Sequence, residues 1–98
     1  MGLKIKWNPR ALAQFDEAIK YIEQTSLKGA EKVKYSILVE IDALTRNPEK
    51  HKPDKFKTRN DGSFRAFELH RYRVSYRYNG NEIRIIRVRH VKMSPLEY

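Results

Sequence analysis

The chain has 98 residues, with 21 Lys and Arg against 12 Asp and Glu, 3 His and no Cys, for a formal net charge of +9. That length gives room for one domain around one core, and the lack of cysteine excludes a disulfide framework or thiolate metal site and suits a reducing compartment. The charge is uneven: residues 1–49 hold 8 Lys/Arg against 7 Asp/Glu and residues 50–98 hold 13 against 5, so +8 of the +9 lies in the second half and favours a polyanionic partner.

No apolar run approaches the ~20 residues that span a bilayer, and Met1 to Trp7 lacks the apolar stretch of a signal peptide, so a cytoplasmic location is expected and a membrane partner is not. Leu3, Ile5 and Trp7 alternate with Lys4 and Lys6, which predicts a strand with one apolar and one basic face. Asn8-Pro9 reads as a helix start, because Asn can cap free N–H groups and Pro tolerates the first helical position. This helix is expected to run to about Gln24, with a stripe at Leu12, Phe15, Ile19 and Ile22 beside Ala11 and Ala18. Ser26 to Gly29 reads as the break. A second stripe at Val33, Ile37, Ile41 and Leu44, widened by Ala30 and Leu38, predicts a helix ending near Asn47, since Pro48 disfavours helical geometry just before it. Two helices joined this closely form a hairpin suited to cover one sheet face.

Pro48 to Ser63 carries Lys52, Lys55, Lys57 and Arg59 and then Asn60-Asp61-Gly62-Ser63, which predicts an exposed basic loop ending in a turn. Phe64 to His70, Tyr72 to Tyr78 and Glu82 to His90 are three strand candidates. Asn79-Gly80 joins the last two as a hairpin turn, whose central residues need positive φ. The expected fold is α+β, in the order β-α-α-β-β-β, with a helical hairpin packed on a small, largely antiparallel sheet. In the middle candidate Tyr72, Val74, Tyr76 and Tyr78 share an inward side, leaving Arg73, Ser75 and Arg77 to look outward. In the last, Arg84, Ile86, Val88 and His90 oppose Ile83, Ile85, Arg87 and Arg89, so neither face is purely polar and alternation assigns no inward side, a switch along the strand being one way to reconcile it. The bland reading of these arginines is a solvated face or protection against edge-to-edge aggregation.

The order of elements, the run Arg71-Tyr72-Arg73-Val74-Ser75-Tyr76-Arg77 before an Asn-Gly hairpin, and Ile85-Ile86-Arg87-Val88-Arg89-His90 resemble the RelE/ParE toxin superfamily over nearly the whole chain. Members are small bacterial proteins encoded beside an antitoxin, associated with plasmid stabilisation and growth arrest. The resemblance implies a cognate antitoxin as partner. It also implies one of two activities: a ribosome-dependent mRNA endoribonuclease that inhibits translation, expected first, or a ParE-like inhibitor of DNA gyrase without nuclease chemistry. A non-toxic antitoxin-binding or nucleic-acid-binding module is the third reading. On the nuclease branch Arg73 matches a phosphate-binding arginine, Lys92 a second basic residue, Tyr98 a tyrosine near the end of the domain, and Arg65 the first of two basic residues on the preceding strand. Phe67 stands where the second of these would be.

Metal-independent RNA cleavage needs a base for the 2′-OH, positive groups around the phosphorane and an acid for the leaving oxygen. His90 is the titratable candidate for the base, against a bland role as a strand end. Lys55, Lys57, Arg59, Arg77, Arg87 and Arg89 are the candidate RNA-binding residues. Glu68 is expected to be an ion partner of a neighbouring arginine. Three scattered histidines lack metal-ligand spacing and no Gly-rich phosphate loop precedes a helix, so neither a metal nor a cofactor is expected.

Overall fold

The computed structural model describes residues 3–93 and 96–98. Strand β1 (Lys4–Trp7) leads into helices α1 (Pro9–Glu23) and α2 (Leu27–Ala43), followed by β2 (Phe64–Leu69), β3 (Tyr72–Tyr78) and β4 (Glu82–His90). The strands form one sheet in the order β1-β4-β3-β2, with β1 parallel to β4 and the other pairs antiparallel, which agrees with the largely antiparallel sheet expected. One face of the sheet packs on the helices. There Phe15, Ile19, Ile37, Ile41 and Leu44 meet Phe67, Val74, Tyr76, Ile83, Ile85 and Val88, all buried. Trp7 adds its ring to that of Phe15 at 5.4 Å.

Several local expectations are corrected. Asn8 does not cap α1 with its side chain; its Oδ1 accepts from Arg84 Nη1 at 3.1 Å, which ties the strand-to-helix corner to β4. Ser26 to Gly29 is not a break but the first turn of α2, where Ser26 Oγ accepts from Gly29 N–H at 2.9 Å and satisfies one of the helix's orphan donors. Leu12 and Leu38 are 45% and 39% exposed and belong to the outer side of the hairpin, not to the core stripe. The 48–63 segment is not simply exposed. Asp54 N–H donates to Phe64 C=O at 2.8 Å and Ala66 N–H to Lys52 C=O at 3.3 Å, so the segment covers the otherwise open edge of β2.

The mixed alternation of β4 has a structural cause. Tyr76 pairs with Ile85 but Ser75 pairs with Arg87, leaving Ile86 as the extra residue of a β-bulge. Ile83 and Ile85 face the helices before the bulge and Val88 faces them after it, while Arg84, Arg87 and Arg89 are all kept on the opposite face. Beyond Ile85 the β1 partner has ended, and the Val88 N–H donates instead to Gln14 Oε1 at 2.8 Å.

The Ser26 cap sets a direct check. Ser26→Ala is expected to lower stability by about 1 kcal/mol, read as a lower urea midpoint with an unchanged slope.

Candidate functional site

The outer face of the sheet carries Arg73, Ser75 and Arg77 from β3, Arg84, Arg87 and Arg89 from β4, and Glu68 from β2, as the pairing registers require. It is not open at its centre. The 54–58 loop and Tyr98 lie over it, and beneath them Asp54 is only 1% exposed. Asn60 shapes this loop by donating from Nδ2 to Phe64 C=O at 2.8 Å and accepting at Oδ1 from Gly62 N–H at 2.9 Å, with Gly62 at φ 95°.

Asp54 is the hub. Its Oδ1 accepts from Arg73 Nη2 at 2.8 Å and from Phe56 N–H at 3.0 Å, and its Oδ2 accepts from the Tyr98 hydroxyl at 2.5 Å. Arg73 uses its other terminal nitrogen, Nη1, to bind Glu68 at 2.9 Å, and its guanidinium lies 4.8 Å from the centre of the Phe56 ring. Burial by itself would raise the Asp54 carboxyl, but the bonds from Tyr98, Arg73 and Phe56 outweigh it and hold the group below the ordinary aspartate value. Burial pushes the Tyr98 phenol up, and its bond to the ionised Asp54 pushes it further, so the hydroxyl keeps its proton. Burial also opposes the Arg73 charge, yet pairing with Asp54 and Glu68 prevails and raises its value.

The predicted site residues divide between two faces. Arg73, Tyr98, Arg87 and Lys57 come together, with Arg87 4.2 Å above the Tyr98 ring and Lys57 Nζ at 5.4 Å from it. Arg65 does not join them. It stands opposite Tyr76 in register, on the helix-side face, where its Nη1 donates to His51 C=O at 2.7 Å and its Nη2 lies 3.4 Å from Glu49. His90 stands opposite Tyr72 with the rings edge-on at 5.0 Å, again on the helix side, and its Nδ1 accepts from Lys92 N–H at 3.0 Å. At the end of its strand His90 also borders a hollow of about 290 Å³ with Arg73, Arg87 and Arg89. Lys92 is exposed on the following turn. Arg77 donates from Nε to Ser63 Oγ at 3.1 Å and covers Phe64, while Lys55 lies over Phe56 and Arg59 is exposed with φ 54°. Glu68 is the ion partner expected of it.

Asp54 and Phe56 escaped the sequence reading. A lone carboxylate between Pro53 and Lys55 looks solvated; the signal was Phe56, an aromatic in an otherwise polar stretch. Among the described residues no cluster of three or more His, Asp and Glu side chains is arranged to hold a metal ion.

A family model described as the ParE toxin of the type II toxin-antitoxin system, parDE, matches residues 5–95. Among solved structures, the chain is similar to a chromosomal ParDE toxin-antitoxin system from P. aeruginosa, with a TM-score of 0.69 and 20% identity over 92% of this chain and 97% of that one. It is also similar to the YoeB dimer from Staphylococcus aureus, with a TM-score of 0.58 and 22% identity over 90% of this chain and 95% of that one. At these identities the likeness speaks to the fold. A search by sequence among curated proteins gave no match.

The Asp54 hub sets a pH-dependent expectation. Asp54→Asn leaves the Arg73 charge buried with one counterion fewer and is expected to cost about 3 kcal/mol at neutral pH. Because the folded value of Asp54 is lowered, its contribution is present above the ordinary carboxylate value and is lost as pH falls through the lowered one. Urea unfolding across pH therefore shows the gap between the two proteins narrowing only in acid.

Proposed function

The chain belongs to the ParE toxin family of type II toxin-antitoxin systems, and from that premise we propose that it arrests growth by inhibiting DNA gyrase in the cytoplasm, without cutting RNA. A cognate antitoxin is its partner. The observation that carries this reading is the engagement of Arg73 and Tyr98 by Asp54. An arginine that grips a scissile phosphate must offer guanidinium donors that a phosphate can reach; here each terminal nitrogen already binds a carboxylate, at 2.8 and 2.9 Å, and the unpartnered Nε is buried. Tyr98 directs its proton to the same carboxylate, and Arg65 is tied to the 49–51 backbone and Glu49 on the other face.

This reading takes the two activities in the reverse of the order expected from the sequence. With chemistry set aside, the outer face still offers Lys55, Lys57 and Arg77 around a partly neutralised centre, a surface suited to an acidic protein patch or a DNA backbone. Ribosome-dependent mRNA cleavage is the second reading. It is favoured by the hollow that brings His90 beside Arg73, Arg87 and Arg89.

Purified protein is expected to block supercoiling of relaxed plasmid by gyrase, or to trap cleaved DNA, to lose this effect when antitoxin is added, and to keep it in His90→Ala. Mapping of RNA 5′ ends after induction is expected to show no new translation-dependent cuts. Such cuts, abolished by His90→Ala, together with unaffected gyrase would overturn the proposal.

A further inference from the structure

The contacts of Tyr98 are those of a ligand in a receptor. Its N–H donates to Phe56 C=O at 3.0 Å and its C=O accepts from Thr58 N–H at 2.7 Å, a one-residue ladder with the 56–58 backbone. The same carbonyl oxygen also accepts from Thr58 Oγ1 at 2.8 Å and Lys57 Nζ at 3.2 Å. The ring has the Arg87 guanidinium 4.2 Å and the Lys57 ammonium 5.4 Å from its centre, with Phe64 edge-on at 6.1 Å. At the bottom of the slot the Asp54 carboxylate takes the hydroxyl proton. Leu96 is 54% exposed and Glu97 is exposed too, so one residue supplies the anchoring.

We propose that the slot between the 54–58 loop and the outer face of β4 is a receptor for an extended peptide carrying a tyrosine, which the chain's own 96–98 segment fills until a partner's segment of the same chemistry displaces it. The side-chain chemistry defines the occupant. The cations over the ring favour an aromatic side chain, and the buried Asp54 oxygen requires a hydroxyl donor, which selects Tyr over Phe. The backbone ladder requires an extended segment, as in recognition by strand addition. A single anchoring residue held by its own chain keeps its place through high effective concentration and not through intrinsic affinity, so it can be exchanged for a partner's tyrosine. Release uncovers Arg87, Ser75 and Asp54 together and so changes the charge that the outer face presents. This inference holds whichever target the toxin has.

The test uses the full chain and amide hydrogen exchange by NMR. In Tyr98→Ala, the Thr58 amide is expected to lose protection by at least about tenfold while Val74 in the core keeps its own, because only the local opening changes. A synthetic peptide with the sequence of residues 90–98, added at millimolar concentration, is expected to restore the Thr58 signal, and the same peptide carrying Tyr98→Phe to bind about tenfold more weakly for want of a hydrogen bond to a charged acceptor. If Tyr98→Ala does not fold, Tyr98→Phe in the full chain is read instead, with faster Thr58 exchange expected; wild-type peptide is again added to displace the weakened segment and slow it. Unchanged Thr58 protection in the variant, or peptides with and without the hydroxyl that act alike or not at all, would overturn the proposal.

Discussion

One ionised carboxylate joins parts of this molecule that regular secondary structure does not. The 48–63 segment is long, lysine-rich and without helix or strand of its own, the kind of stretch that stays solvated unless something outweighs its entropy. Asp54 supplies that something. A charge buried this deeply is tolerable only when fully paired, and its three donors come from three places: the neighbouring loop backbone at Phe56, the third strand at Arg73, and Tyr98 more than forty positions away in sequence. Holding Asp54 also holds the backbone bonds that cover the β2 edge, so the same interaction protects the sheet from pairing with another chain.

The consequence for function is that net charge and available charge differ. Half the chain carries +8, but its arginines are distributed by the pleat and by pairing into separate roles. Arg73 balances Asp54 and Glu68, Arg65 binds the far end of the same loop from the helix side, and Arg84 braces the corner at Asn8. What remains outward is a rim of lysines and arginines around a neutralised centre. On the proposed reading such a rim docks a partner, whereas stabilising a pentavalent phosphorane needs converging, uncommitted donors.

The fold was largely legible because its signals are local. Asn79-Gly80 marks its hairpin, although only Gly80 of the pair takes positive φ, at 95°, because the turn closes from Asn79 to Glu82; Leu3, Ile5 and Trp7 mark β1; and the apolar stripes mark two helices. The failures have local causes too. Ser and Gly at 26 and 29 suggest a break by composition, whereas geometry makes Ser26 a cap for Gly29. Leu12 and Leu38 fit a helical period but lie at its margin. The site was less legible, because a bulge at Ile86 and a buried aspartate in a basic loop depend on partners distant in sequence. Alternation put Arg73 on the outer face and the family resemblance singled it out, but its role reads differently once Asp54 lies beside it. Periodicity reports which face a side chain takes, not which ion awaits it there.

The most direct measurement is the titration of the Asp54 carboxyl carbon by NMR. The account has Asp54 ionised and gripped by Arg73, Tyr98 and the Phe56 amide, and so predicts a midpoint below the ordinary aspartate value despite burial. A midpoint at or above that value would mean that burial prevails over the bonds, that Arg73 and Tyr98 are not held, and that the basic face is free to do chemistry after all.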